Sequence, residues 1–247
     1  MDGKGWLGKS FFRVLQALLP TFCRLCGGPV LETPVPWICG ACWGKVRWLT
    51  GPVCPRCGFA FPSPEALTHS PGHLCGNCRD KEPPFALARA AGAHEGALRE
   101  AIHLLKYGRK HSLGKKLGRF LLPSAGALPT PEVVVPVPLH PSRLRHRGFN
   151  QSLLLADAVC RRLDVPLDHG ALQRVRPTRP QVELTPEERK ANIRGAFAVL
   201  RPERIEDKRV LLVDDVFTTG ATVSECARVL RKAGAQEVVV ATLSRSG

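Results

Sequence analysis

The residues of this chain best suited to chemistry lie near its end, between Val210 and Thr222. An apolar run there ends in two adjacent carboxylates, Asp214 and Asp215, and a turn rich in hydroxyls and glycine follows. If a buried strand passes into a helix at this point, the first N–H groups of the helix and the positive end of its dipole face outward together. The segment therefore predicts a phosphate site, with both acids placed where an attached sugar would present its hydroxyls.

The turn supplies the contacts that a phosphate needs. Thr218, Thr219 and Thr222 add hydroxyl donors, Gly220 lets the backbone approach closely, and the backbone N–H groups up to Ala221 and Thr222 complete the cradle. No Gly-Lys-[Ser/Thr] follows, so the segment is not a Walker loop. The alternative interpretation is a core strand followed by an ordinary polar turn.

A second constellation is made of cysteines. Eight of the ten fall within the first 85 residues, as the Cys-x-x-Cys pairs Cys23/Cys26, Cys39/Cys42, Cys54/Cys57 and Cys75/Cys78. Two intervening residues let both sulfurs reach one tetrahedral ion at about 2.3 Å. The gaps between pairs fit two consecutive structural zinc ribbons, although an interleaved pairing stays open. Redox-active motifs, disulfides, iron–sulfur ligation and ligation by His69 or His73 are the alternatives.

Charge suggests a polyanionic partner. The 36 basic and 21 acidic residues give a formal net charge of +15, which favours nucleic acid or a phosphorylated small molecule over a purely solubilising surface. The basic residues cluster in three places: between Leu98 and Phe120; at Arg143, Arg145 and Arg147; and from Arg174 to Arg194. Trp37, Trp43 and Trp48, among the cysteines, could stack on bases or hold a small core.

Hydrophobic spacing predicts the elements that position these residues. Helices are predicted over 95–105, 112–122, 149–163 and 221–233, and strands over 133–135, 195–200, 209–215 and 237–243. Alternating strands and helices predict an α/β fold with a doubly wound, mainly parallel sheet, in which ligands collect beyond the carboxyl ends of the strands. The predicted division is an amphipathic helix (1–22), a double zinc ribbon (23–84) and the α/β domain (85–247).

The distribution of apolar residues also predicts where in the cell the protein is located. No run of about 20 apolar residues could span a membrane, and no cleavage site follows the apolar stretch before Cys23. The expected location is the cytoplasm, where disulfides rarely persist.

Residues 210–222 resemble the phosphoribosyl pyrophosphate signature of type I phosphoribosyltransferases, in which two acids precede Thr-Thr-Gly-x-Thr. From about Pro20 to Leu243 the chain resembles the ComF/ComFC (GntX-like) competence family. The matching motifs are the four cysteine pairs, Leu105-Lys106-Tyr107, Val135 to His140, Arg145 to Gln151, and Arg189, Asn192, Ala196 and Phe197.

The resemblance implies phosphoribosyl pyrophosphate and magnesium as ligands. Asp214 and Asp215 would bind the ribose hydroxyls, and residues 218–222 the 5-phosphate. His140, Arg143 and Arg147 would form the pyrophosphate loop, with Lys106 as a further cation, and residues 177–194, including Arg189 and Asn192, a mobile loop. Magnesium would be held largely by the substrate.

Two functions follow from the resemblance. The first is transfer of phosphoribosyl to a base, an amine or water, in a protein of natural competence. Single-stranded DNA and a DNA-uptake helicase or other competence proteins would then be its partners. The rival is a non-catalytic adaptor that binds nucleic acid or protein on the same scaffold.

Overall fold

The computed structural model of the protein describes residues 21–31, 33–63, 65–68, 70–108, 110–122, 128–179 and 184–247. The amphipathic helix predicted for residues 1–22 lies almost entirely outside them, as do His69 and Arg109. Within the part of the chain described, no helix is long and apolar enough to cross a membrane.

The described residues form six strands: β1 (Leu87–Ala93), β2 (Val133–Pro136), β3 (Leu172–Arg174), β4 (Phe197–Val199), β5 (Arg209–Phe217) and β6 (Glu237–Arg245). Four of them make one sheet in the order β1-β6-β5-β2, with every neighbouring pair parallel. The other two, β3 and β4, pair antiparallel outside it. The predicted mainly parallel sheet is confirmed, and its carboxyl ends meet at one edge.

Nine α-helices connect or flank these strands: α1 (Gly40–Trp43), α2 (Glu65–Thr68), α3 (Gly76–Asp80), α4 (Gly96–Tyr107), α5 (Ser112–Gly118), α6 (Pro141–Arg147), α7 (Gln151–Leu163), α8 (Pro186–Ile193) and α9 (Ala221–Lys232), counting described residues only. The helices predicted over 95–105, 149–163 and 221–233 correspond to α4, α7 and α9. The helix predicted over 112–122 is shorter, because α5 ends at Gly118, a residue of low helix propensity.

The sheet is covered on both faces, because alternate residues of its central strand point to opposite sides. Leu211 and Val213 of β5 belong to a core shared with α4, α5, α7 and the first cysteine ribbon, which holds the pairs Cys23/Cys26 and Cys39/Cys42. Val210 and Leu212 belong to a second core, shared with α9, the β3–β4 pair and the second cysteine ribbon. Each ribbon therefore packs on a different side of the sheet.

Both outer edges of the sheet are covered by irregular backbone. Next to β1, Leu49 donates its N–H to the carbonyl of Ala91 over 2.9 Å, and Ala93 donates to Arg47 over 2.9 Å. Next to β2, Val134 donates to the carbonyl of Pro166 over 2.9 Å. The cysteine-rich region thus extends the sheet beyond β1.

The tryptophans among the cysteines belong to the core. Trp43 is buried, and its ring meets those of Trp48 and Phe120 at centroid distances of 5.8 and 5.2 Å. Trp37 is partly buried and lies under the ammonium of Lys110 at 4.6 Å. Of the two roles expected for these rings, the structure favours packing over stacking on bases.

Candidate functional site

The eight predicted metal ligands form two quartets of thiols, and within each quartet the sulfur atoms lie within 4.8 Å of one another. They are Cys23, Cys26, Cys39 and Cys42, and Cys54, Cys57, Cys75 and Cys78. The pairs therefore combine consecutively and not in an interleaved order. Among the described residues, which include His73, no histidine joins either quartet.

The two quartets are geometric copies of one another. In each, the backbone N–H of the third cysteine donates to the sulfur of the first over 3.4 Å, from Cys39 to Cys23 and from Cys75 to Cys54. Burial raises the pKa of Cys54, but backbone N–H groups, among them those of Cys57 and Cys75, outweigh burial and lower it to about 7. Four thiols so arranged suit Zn²⁺, which structural sites hold in tetrahedral sulfur coordination.

The predicted phosphate loop runs from the end of β5 to the start of α9, at the edge where the parallel strands end. Thr218 and Thr219 are partly exposed, and the hydroxyl of Thr219 accepts from the N–H of Ala221 over 3.4 Å. Gly220 has a φ of +76°, in the left-handed region that favours glycine. A Cβ there would lie 2.6 Å from Cζ of Phe217, so the ring and the loop backbone are in direct contact.

The two acids before this loop are buried and differ in their partners. Asp214 Oδ1 accepts from the hydroxyl of Ser152 and from the N–H of Asp215, both over 2.9 Å. Asp215 Oδ1 forms an ion pair with Lys106 Nζ over 2.9 Å. Its other oxygen, Oδ2, is buried and has no hydrogen-bond donor among the described residues. Lys106, expected beside the pyrophosphate, therefore lies against the acids.

A histidine that the sequence did not single out stands beside this ion pair. His94 follows the end of β1, and its Nδ1 lies 2.8 Å from the hydroxyl of Ser244. Burial and the nearby charge of Lys106 lower the pKa of His94, while Asp215 opposes the shift. This shift of the pKa favours the neutral form of the imidazole.

The loop after β2 becomes helix α6, which carries the predicted pyrophosphate residues. His140 caps the helix: its Nδ1 accepts from the N–H of Ser142 over 3.3 Å. Arg147 donates to Gln151 over 2.7 Å, and its guanidinium lies 5.4 Å from the ring centre of Tyr107. His140 therefore fixes the start of α6, and Arg147 links the end of α6 to α7 and α4.

Two more arginines meet at one threonine. Arg143 donates to the carbonyl of Thr178 over 3.2 Å, and Arg174 donates to the hydroxyl of the same residue. Arg174 is 7% exposed, and its Nε has no partner among the described residues. Burial and the charge of Arg143 lower the pKa of Arg174 to about 10. Within the described chain no carboxylate forms an ion pair with Arg143, Arg147 or Arg174.

The segment predicted as a mobile loop contains helix α8, and residues 180–183 lie outside the described chain. Asn192 exchanges two hydrogen bonds of 3.1 Å with the backbone of Arg179. Arg176 donates to the carbonyls of Asn192 and Arg194 over 2.9 and 2.8 Å. Asn192 therefore holds the two ends of the segment together, while Arg189 lies partly exposed on α8.

The sequence matches two known domain families. Residues 150–247 match the phosphoribosyl transferase domain, and residues 14–79 match the double zinc ribbon domain. The DNA utilization protein YhgH of Escherichia coli K12 is 34% identical over 92% of this chain and 98% of its own length. Competence protein F of Haemophilus influenzae is 32% identical over 85% of this chain and 90% of its own.

The chain belongs to the ComF competence family. Competence protein ComFC of Bacillus subtilis is a more distant relative, 27% identical over 87% of either chain. Among solved structures, a glutamine phosphoribosylpyrophosphate amidotransferase of B. subtilis has a TM-score of 0.34 and 25% identity, over 53% of this chain and 25% of that one. The two domain-family matches show that this ComF-family protein joins a phosphoribosyltransferase-type domain to a double zinc ribbon.

Some residues of this ComF-family site carried little signal in the sequence. Ser152 follows the Arg145 to Gln151 motif directly, and only the fold brings its hydroxyl to Asp214. His94 belongs to none of the sequence motifs. In the sequence Arg174 is only one member of a basic cluster, and the fold brings its guanidinium over the ring of Phe197, 5.3 Å from the ring centre.

The buried carboxyl of Asp214 should make the stability of this ComF-family protein depend on pH. Burial, followed by the charge of Asp215, raises the pKa of Asp214 from 3.8 to about 7. Because the folded state binds this proton more tightly than the unfolded state, the free energy of unfolding should fall as pH rises through that interval. Asp214→Asn keeps the acceptor oxygen and removes the ionisation.

The stability gained by Asp214→Asn should therefore grow by roughly 1–3 kcal/mol between pH 5 and pH 8. Urea unfolding of variant and wild type at both pH values measures this difference. Any effect of pH on zinc ligation is the same in both proteins and largely cancels in the comparison. A stability difference that does not change with pH would show that Asp214 is ionised throughout.

Proposed function

We propose that this ComF-family protein binds phosphoribosyl pyrophosphate with magnesium and transfers its phosphoribosyl group to an acceptor, as a pentosyl transferase acting in the cytoplasm. The observation that carries the proposal is the unpartnered oxygen of Asp215. A buried acceptor without a donor costs about 1–3 kcal/mol, and a ribose hydroxyl or a hydrated cation would remove that cost. This oxygen lies just before a loop built to receive an anion.

The two ends of the substrate correspond to two parts of the site. The 5-phosphate would lie at residues 218–222, where Gly220 brings the backbone close and the dipole of α9 favours negative charge. The pyrophosphate would lie towards Arg143, Arg147 and Arg174, whose charges have no carboxylate partner in the described chain. Both assignments follow the general preference of arginine for phosphate oxygens.

In the proposed reaction, the bond between C1 of the ribose and pyrophosphate breaks while the acceptor forms a new bond to C1. The acceptor's electron pair makes that bond, and the leaving pyrophosphate takes the electron pair of the old one. Magnesium bound to the substrate would neutralise part of the negative charge of the leaving pyrophosphate. Asp214 and Asp215, the acids nearest the loop, are carboxylates suited to hold this magnesium. The arginines would hold the departing pyrophosphate, and Lys106 would orient Asp215.

Replacing Asp215 with asparagine tests this proposal. The substitution keeps the shape of the side chain and removes a charge that should hold ribose hydroxyls, so binding of phosphoribosyl pyrophosphate with magnesium should weaken by about ten- to a hundredfold. Titration calorimetry measures the affinity. Asp157→Asn, which removes a carboxylate paired with Arg161 on α7, is the matched control and should bind as the wild type does.

Wild-type protein that gives no heat with millimolar phosphoribosyl pyrophosphate and magnesium would contradict the proposal and favour a non-catalytic adaptor. If binding occurs, release of radiolabelled pyrophosphate with candidate acceptors tests transfer itself.

A specific observation also favours single-stranded DNA as a partner. Tyr107, on the last turn of α4, is 61% exposed and lies beneath the guanidinium of Arg147. An exposed ring beside positive charge is suited to stack on a base while neighbouring arginines contact phosphates. The names of the relatives, a DNA utilization protein and competence proteins, agree with this partner.

The affinity for an oligothymidylate should fall at least about tenfold between about 50 and about 200 mM salt, because phosphate contacts release counterions. Tyr107→Ala should weaken binding further by about 1–3 kcal/mol, whereas Tyr107→Phe should not. Fluorescence anisotropy measures both effects. Salt-independent binding, or equal affinities of the alanine variant and the wild type, would place the DNA elsewhere.

A further inference from the structure

The second cysteine quartet touches the phosphate loop through a buried arginine. Arg245 ends β6 and is 8% exposed. Its Nη1 donates to the carbonyl of Cys57 over 2.8 Å, and its Nη2 lies 3.6 Å from the sulfur of Cys57. Its Nε has no partner in the described chain, where no carboxylate is ion-paired with this guanidinium either. Cys57 therefore provides its polar contacts.

The guanidinium of Arg245 also lies near the ring of Phe59, 5.6 Å away, and closer to that of Phe217, the residue in contact with the loop. The guanidinium carbon is 4.2 Å from the ring centre of Phe217, a cation–π distance. The ring of Phe217 lies in turn directly against Gly220, and its carbonyl accepts from the N–H of Ser246 over 2.9 Å. Only two side chains, those of Arg245 and Phe217, separate a metal ligand from the glycine of the loop.

The first quartet has no such connection within the described chain. Cys23 packs in the core formed with α4, α5 and α7, whereas the second quartet shares its core with Phe217 and Ala221. The two quartets match in ligands and hydrogen bonds but lie on opposite sides of the sheet. The metal of the second quartet should therefore support the phosphate loop, and the metal of the first quartet should not.

We infer that the second zinc site positions the phosphate loop through Arg245, so that binding of a sugar 5-phosphate depends on zinc at Cys54, Cys57, Cys75 and Cys78 and not on zinc at the first quartet. Four thiolates around one Zn²⁺ leave a net negative charge, which compensates the buried guanidinium. Without that charge Arg245 is a buried cation with an unmet cost, and Phe217 loses the flat surface it packs on. Arg245 is a positioning residue, because it reaches the ligand only through Phe217. The inference rests on the proposed sugar-phosphate site.

The first test replaces Arg245 with methionine, which fills similar volume without charge. Ribose 5-phosphate, titrated calorimetrically, should bind about tenfold more weakly, and zinc should stay at two ions per chain. Arg245→Lys keeps the charge but loses the planar fork, so it should restore binding only in part. Arg161→Met, which removes an exposed arginine on α7, should bind as the wild type does.

The second test separates the two metals. Cys78→Ser weakens the second site without removing a partner of Arg245, and Cys26→Ser weakens the first site in the same way. Each variant should lose one zinc ion by elemental analysis. Only Cys78→Ser should weaken ribose 5-phosphate binding, and only there should the amides of residues 217–222 exchange hydrogen faster.

Amide exchange decides the inference even without a ligand. If wild type binds no ribose 5-phosphate, the sugar-phosphate site is wrong, yet faster exchange at 217–222 in Cys78→Ser alone would still support the coupling. Equal exchange in both cysteine variants, or an Arg245→Met protein with wild-type affinity and exchange, would overturn it.

Discussion

Replacing Gly220 with valine is expected to lower the affinity for ribose 5-phosphate by more than about a hundredfold, equivalent to about 3 kcal/mol or more. Two independent costs act at this residue. Its φ of +76° is one that β-branched residues avoid, and the new Cβ would lie 2.6 Å from Cζ of Phe217. The loop must move to relieve both, so its N–H groups no longer converge on one phosphate.

Calorimetric titration with ribose 5-phosphate measures this loss without requiring catalysis. Gly51→Val is the matched control, because a Cβ at Gly51 would meet no atom of the described residues within 4 Å and the backbone there needs no positive φ. The control should bind normally, and both variants should keep two zinc ions. A Gly220→Val protein that binds ribose 5-phosphate as tightly as the wild type would remove residues 218–222 from the phosphate site.

Removing zinc is expected to have the largest effect on stability. Structural zinc contributes an apparent 10–16 kcal/mol in small peptides, roughly what a whole domain has as its free energy of unfolding. We expect purified protein to carry two zinc ions per chain, and a strong chelator to unfold the ribbons. The sheet and its flanking helices should stay folded, because they keep apolar cores made largely of their own residues.

Elemental analysis together with circular dichroism before and after chelation measures this effect, and added zinc should reverse it. Cys160→Ser is the control, since Cys160 lies in α7 away from both quartets and its loss should leave two ions bound. Purified wild type with one zinc ion or none would contradict the assignment of two sites.

The parts of the fold predicted from sequence were those with strong local patterns. The run from Val210 to Asp215 could be predicted as a buried strand because nearly every residue is apolar, and it forms β5. The strand β1 was not predicted, because Leu-Ala-Arg-Ala-Ala-Gly-Ala contains no β-branched or aromatic residue. Its extended form comes from pairing with β6 and with residues 47–49.

The same distinction holds for the site. Spacing predicted both cysteine quartets and the turn at 218–222, since ligands and cradle residues are close in sequence. It could not predict that Lys106 would meet Asp215, or that Arg245 would meet Cys57, because the partners are 109 and 188 positions apart in the sequence. Contacts of that range depend on how the sheet is ordered, which no local pattern specifies.

The covered edges of the sheet have a consequence for how the protein behaves in a test tube. An uncovered edge strand offers unpaired N–H and C=O groups to other molecules and can seed aggregation. Here the outer edge of β1 is protected by Arg47 and Leu49, from the segment that follows the first cysteine quartet. Protein made without enough zinc, or oxidised at its thiols, would uncover this edge. If such material precipitates, the cause would be the exposed edge of β1, and not a defect of the phosphoribosyltransferase-type domain itself.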